Sequence, residues 1–298
     1  MKLSNICPAP CFDQAPNFEI PKPGCSKAAL KFASAEGRTY YSVLLRNHDT
    51  RNNVGLNPKI AIVGLSPAGT QIDEFVTAYK QTGDYDSAAI RGAFAGLSTE
   101  IIAMINGLGL ASKLGLRLPA GAILAHHPDL YVTSLVACAS LTSSGSSTDF
   151  DPSRYSAAKR CMTQRFLEEV LDPRFKQLTH ILVLGSKGWK ALHTVKAPSG
   201  QTIFQALAEA GKIVLNIPHP SGANREYVNL AVLPLSRMPS EDTYVADKWD
   251  DYCLRCRSEG KVPELEDTYK KKRRKVWNTI YKLRWDIAKL ESRPHDPS

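Results

Sequence analysis

His219 stands between Pro218 and Pro220, with Ser221, Asn224 and Arg225 close behind it. A titratable imidazole held in a stiff, extended turn just past a strand end lies where open α/β sheets keep their ligands. The hydroxyl, amide and guanidinium that follow suit a phosphate backbone. A plain proline-rich surface turn is the competing reading of these residues alone.

Chemistry of this kind needs an element that delivers the imidazole to a cleft. Ile213, Val214, Leu215 and Ile217 have the length and branched apolar content of a buried strand that stops just before His219. Three further apolar runs, Lys59–Val63, Leu130–Ala139 and His180–Leu184, read the same way, and helical stretches separate them. Ser87 to Leu114 reads as one helix, Pro152 to Leu171 as another, and shorter ones cover Trp189 with Leu192 and Thr202 to Ala210. Strands alternating with helices predict βαβ units: a three-layer α/β/α fold around a four-stranded parallel sheet. In such a sheet, ligands lie beyond the carboxyl ends of the strands, where His219 would be.

Composition narrows the partner. The chain has 298 residues, 43% of them hydrophobic, enough to bury a sizeable core. A net charge of +9 points to a polyanion, with nucleic acid first. No run approaches the roughly 18 apolar residues of a membrane span, and the first residues do not read as a signal peptide. A cytoplasmic, monomeric protein with no membrane association is expected. Three regions are distinguished: an irregular, proline-rich wrap over residues 1–57, a catalytic-type domain over 58–238, and a basic helical extension over 239–298.

Four strand-end segments share an order: Gly64-Leu65-Ser66-Pro67-Ala68-Gly69, Tyr131 to Cys138, Gly185-Ser186-Lys187 and His219 to Arg225. In that order and spacing the chain resembles the uracil-DNA glycosylase superfamily, over about residues 58–230. The branch it resembles most has a Gly-Leu-Ala-Pro-Ala first motif and a later Thr-Gly-Asp, matched here by Thr82-Gly83-Asp84. The resemblance implies a DNA glycosylase that flips a base out of the duplex and hydrolyses its N-glycosidic bond, leaving an abasic site. It implies that His219 donates to the base O2. Gly64, Leu65, Pro67 and Ala68 would bind the base, Ser66 the attacking water, and Asp84, with Asp73 as rival, would be the carboxylate. Gly185, Ser186, Lys187 and Ser221 would hold phosphates, and Asn224 or Arg225 would be the wedge in the duplex.

Two positions depart from the family pattern. Ser66 replaces an Asp or Asn, and Ser134 replaces the Asn whose amide matches the edge of uracil. Ala68 and Gly69 also leave room where relatives place an aromatic residue after the proline. The Ser134 change and the room at Ala68 and Gly69 favour a modified, 5-substituted pyrimidine, and with it a role in defence against phages that modify their DNA. Conventional uracil repair and a non-catalytic binder of modified or single-stranded DNA are the alternatives.

Seven cysteines without a secretion signal argue against a disulfide framework. Some branches of the resembled superfamily carry a structural 4Fe-4S cluster, and Cys7, Cys11, Cys138 and Cys161 fall in the corresponding regions, though with altered spacing. Cys253 and Cys256 are a lone Cys-x₂-Cys pair, a weak zinc signal. The six basic residues Lys270 to Lys275 read either as a solvated helix face or as a DNA contact.

Overall fold

The computed structural model describes residues 7, 12, 17–46, 58–145, 150–221 and 224–290. In chain order the elements are β1 (Lys31–Ala35), β2 (Arg38–Leu44), β3 (Ile60–Gly64), α1 (Gly69–Thr82), α2 (Tyr85–Gly92), α3 (Ser98–Gly107) and α4 (Leu110–Lys113). β4 (Leu130–Ser134), β5 (Cys138–Leu141), α5 (Ser156–Arg160), a π-helical turn (Cys161–Phe166), α6 (Leu167–Val170), β6 (His180–Leu184) and α7 (Ser186–Thr194) follow. The last are α8 (Ile203–Glu209), β7 (Ile213–Ile217), α9 (Arg225–Val232), α10 (Glu241–Ser258) and α11 (Glu266–Ala288). They fall into two compact units, residues 1–99 with 121–219, and residues 100–120 with 220–298.

The first unit holds the parallel sheet, in the order β4-β3-β6-β7. Every residue of β3, β4 and β6 is buried, as expected of strands covered on both faces. Pairing runs in step across the sheet: Gly64 faces Ser134, Val63 faces Val183, and Leu184 faces Ile217. All four strands therefore end at one level, and the segments that leave them start from one rim. The fold belongs to the three-layer α/β/α class.

The structure departs from the sequence reading in several places. The run Leu130–Ala139 is two strands in two sheets, because the chain turns at Leu135 to Ala137 and β5 joins β1 and β2 in an antiparallel sheet of order β1-β2-β5. The buried Arg165 stabilises that turn by donating from Nη2 to the carbonyls of Ser134 and Leu135. β1 and β2 themselves lie in the stretch expected to be irregular. α1 was not foreseen at all; it begins directly after the Gly64–Gly69 turn. The single helix expected over Ser87–Leu114 is three, interrupted where Phe94 and Gly96 take positive φ angles of 55° and 75° and again at Gly109.

In the second unit, α3 and α9 cross so closely that a Cβ on Gly107 would lie 2.4 Å from the Ala231 carbonyl oxygen. Arg284 of α11 donates to the carbonyls of Leu230, Ala231 and Leu233, which the end of α9 leaves without helical partners. Among the described residues no helix is long and apolar enough to cross a membrane.

Candidate active site

At the shared rim, Gly64 ends β3 at a point where a side chain has little room. A Cβ there would lie 3.2 Å from both the Phe94 ring and the Ser134 hydroxyl. The turn is tied to the next segment by Leu135 N–H to Gly64 O at 2.8 Å and Val136 N–H to Leu65 O at 3.0 Å. Pro67 is buried, while Leu65, Ser66 and Ala68 are half-buried. Ser134 is buried at the end of β4, and among the described residues its hydroxyl has no hydrogen-bond partner.

Phe94 falls inside the single helix expected over Ser87–Leu114. It sits outside the helix at φ 55°, a conformation a bulky residue adopts only when its surroundings hold it there. Its ring lies against Gly64 at the sheet rim. The sequence signal was the pair Gly92 and Gly96 around it, which breaks the helical pattern.

On the other side, Gly185 has φ 85°, and a Cβ added to it would meet His219 Cβ at 3.1 Å. Gly185 N–H donates to Ile217 O at 2.8 Å. With its amide oriented so that the NH₂ faces carbonyls, Asn216 donates to the oxygens of Gly185 and Val183 at 3.3 Å each. The imidazole of His219 is thus positioned by the β6 end, and no protein group among the described residues hydrogen-bonds to it. Burial pushes its pKa below the ordinary histidine value, so the ring is neutral at neutral pH. Ser186 and Lys187 are exposed in the first turn of α7, beside that same rim.

The acid candidates fare differently. α1 leaves the Gly64–Gly69 turn and runs for 14 residues, about 20 Å of helix, before Gly83 turns the chain. Asp84 lies at that far end, exposed, where it caps α2 by accepting from Ser87 N–H at 2.7 Å. The Ser87 hydroxyl and N–H hold its carboxyl below the usual range. The structure thus places Asp84 at a helix cap, a helix length from the Gly64–Gly69 turn. α2 then returns antiparallel and delivers Phe94, rather than the carboxylate, to the pocket. Asp73 is at the pocket end of α1, where Lys27 Nζ bridges it at 2.8 Å and the Gly69 carbonyl at 3.2 Å.

Ser66 is also committed. Its hydroxyl donates to Cys138 O and accepts from Ser140 N–H, both at 3.2 Å, pinning the turn to β5. One lone pair remains, enough to orient a water but not to take its proton.

Ser221 and Asn224 belong to the second unit. They close a turn on each other through Asn224 N–H to Ser221 O at 2.8 Å and Asn224 Nδ2 to Ser221 Oγ at 3.2 Å. Arg225 is exposed at the start of α9.

Cys7, Cys138 and Cys161 are buried. The Cys138 thiol is pushed well up, by burial first and then by Cys7 and Cys161, which places the three near one another. Cys161 Sγ accepts from Ala137 N–H at 3.4 Å and Arg165 Nε at 3.3 Å. The fourth thiol expected in a cluster, Cys11, lies outside the described residues. Among the described residues no group of three His, Cys, Asp or Glu side chains is arranged to hold a metal ion.

The family model for the uracil DNA glycosylase superfamily matches residues 52–237. The chain belongs to that superfamily. The match spans all four strands of the parallel sheet and the segments at their rim. Neither the curated proteins nor the solved structures compared with the chain gave a match. As a superfamily member the chain has a fold whose relatives typically act as DNA glycosylases, and His219 and the Gly64–Gly69 turn lie in the matched region.

Proposed function

We propose that this superfamily member is a monofunctional DNA glycosylase acting on a 5-substituted pyrimidine other than uracil. The reading is supported by what the shared sheet rim carries: an imidazole at 219 with no hydrogen-bond partner among the described residues beside Gly185, and the Ser134 hydroxyl and Phe94 ring beside Gly64. As the glycosidic bond lengthens, charge grows on the departing base, and a preorganised neutral N–H at its O2 stabilises that charge without a proton transfer. A single hydroxyl at position 134 cannot offer the paired donor and acceptor that select uracil. Ser66 orients the attacking water from the turn. Phosphates flanking the flipped nucleotide fall to Ser186, Lys187 and the Gly185 loop, and a role in defence against phages with modified DNA follows from the substrate.

The test is mass spectrometry of bases released in single turnovers from duplexes holding uracil, 5-hydroxymethylcytosine or glucosylated cytosine. Release of uracil alone would defeat the substrate assignment. His219→Ala should slow release about 10²- to 10³-fold, the usual loss of one such donor. NMR titration of the 219 ring should give a pKa below about 6.5. The same shift has a stability consequence. A buried neutral imidazole contributes stability that is present above the unfolded value and declines as pH falls toward the folded one.

One observation favours a second reading, a non-catalytic binder of modified or single-stranded DNA: Asp84 is remote from the pocket and the Ser66 proton is already engaged. Tight binding without base release would select it. A structural cluster would need Cys11 as fourth ligand beside Cys7, Cys138 and Cys161; iron analysis and a brown colour test that proposal.

A further inference from the structure

Helices α9, α10 and α11 enclose a cleft of about 470 Å³ within the second unit. Three carboxylates line it, and each already has a cation. Glu226 pairs with Arg273, Asp251 with Lys248 at 4.0 Å, and Glu264 with Lys272 at 2.6 Å. Arg225 and Arg255 also line the cleft, and among the described residues neither has a carboxylate partner. Two guanidinium charges are therefore left in surplus inside a concavity, where low-dielectric walls concentrate their field.

The cleft wall also orients one of them. Tyr252 and Tyr269 stack at 4.4 Å with their planes 12° apart. The Arg273 guanidinium lies 4.6 Å from the Tyr269 centroid and that of Arg255 5.8 Å from the Tyr252 centroid. A guanidinium already resting on a ring has less freedom to lose on binding, and its planar fork matches phosphate oxygens two at a time.

The conspicuous run Lys270–Lys275 behaves otherwise. Lys270, Lys272, Arg273 and Arg274 are paired with Glu266, Glu264, Glu226 and Glu241. Arg273 and Arg274 thereby tie α11 to α9 and α10, Lys272 ties it to the preceding loop, and the Lys270 pair lies within α11.

We propose that the cleft grips the phosphate backbone of DNA through Arg225 and Arg255. The proposal rests on the reading above only in taking DNA as the partner. The test uses the full chain and a fluorescein-labelled duplex, with anisotropy titrations from about 50 to 200 mM salt. Arg255→Ala should weaken binding severalfold and lower the slope of log K against log salt by about one. Arg257→Ala removes the same charge from an exposed position outside the cleft, and should leave the slope as it is. Equal losses in the two variants would mean a diffuse field and overturn the proposal. So would displacement of the effect onto a free nucleotide, with ATP binding lost in Arg255→Ala while the duplex binds as before. Arg255→Lys keeps the charge but not the fork and should fall between, which guards against a misfolded alanine variant. Base release by the same proteins is scored separately: Arg255-dependent binding without any released base would sink the glycosylase reading and leave the cleft intact.

Discussion

The two units manage charge in opposite ways. In the parallel-sheet unit, Arg165 and Glu169 are 1% and 5% exposed, and every part of the pair is occupied. Arg165 serves Glu169, Thr133 Oγ1, Cys161 Sγ and the carbonyls of Ser134 and Leu135. Glu169 is further held by Arg46 at 3.0 Å and the Tyr131 hydroxyl at 2.7 Å. Burial alone would raise the Glu169 carboxyl, but Arg165, Arg46 and Tyr131 outweigh it and leave the group ionised. In the helical unit most pairs lie on the surface, as Glu264–Lys272 does, and Arg273 and Arg284 each keep a buried Nε without a partner. The difference teaches where geometry is over-determined. Arg165 fixes the turn that presents Ser134, so the pocket floor inherits the rigidity of the core.

The largest effect should come from Arg165→Met. It leaves Glu169 buried with part of its compensation and two carbonyls without donors, at a cost of about 3–5 kcal/mol in urea unfolding. A loss under about 1 kcal/mol would equate this pair with a surface one and erase the contrast. Next comes Gly185→Ala, which forces a Cβ to 3.1 Å from His219 at a left-handed φ. About 1–3 kcal/mol of strain is expected. Base release should fall further than stability, since the displaced atom belongs to the imidazole. A full release rate in a folded Gly185→Ala variant would remove His219 from the chemistry.

These elements differ in how plainly the sequence announces them. β3, β6 and β7 are short apolar runs bounded by glycine or proline, so the rim and His219 could be read directly. β5 could not, because Leu130–Leu141 is apolar almost throughout and nothing local says that the chain changes sheets at Leu135. That turn depends on Arg165, thirty positions away, a long-range contact no local pattern encodes. Asp84 illustrates the reverse case. Its motif matched a family position, but α1 carries it away from the pocket, and the only local clue was that an Asp three residues before Ser87 is a helix cap.

Asp84→Ala sharpens that point. Loss of the cap should cost about 1 kcal/mol. Because the carboxyl is held below its usual range, the contribution is present above the ordinary carboxylate value and fades as pH falls through the folded one. Single-turnover base release should match wild type at neutral pH. A loss of tenfold or more in a stable variant would restore Asp84 to the chemistry and require the α1–α2 hairpin to move.

The smallest effect belongs to the helical unit. Glu264→Gln removes the partner of Lys272, a pair at 2.6 Å with side chains 32% and 54% exposed. Solvent screens such a pair, and holding two long side chains together costs entropy, so the change should stay within about 0.5 kcal/mol. The same variant should raise the positive surplus of the cleft by one charge, because Lys272 is no longer matched. Binding to the duplex should therefore strengthen slightly at low salt while unfolding barely changes. If unfolding instead shifts by more than about 1 kcal/mol, the ion pairs along α11 act as a linked network rather than as separate surface contacts, and the contrast between the two units becomes one of degree.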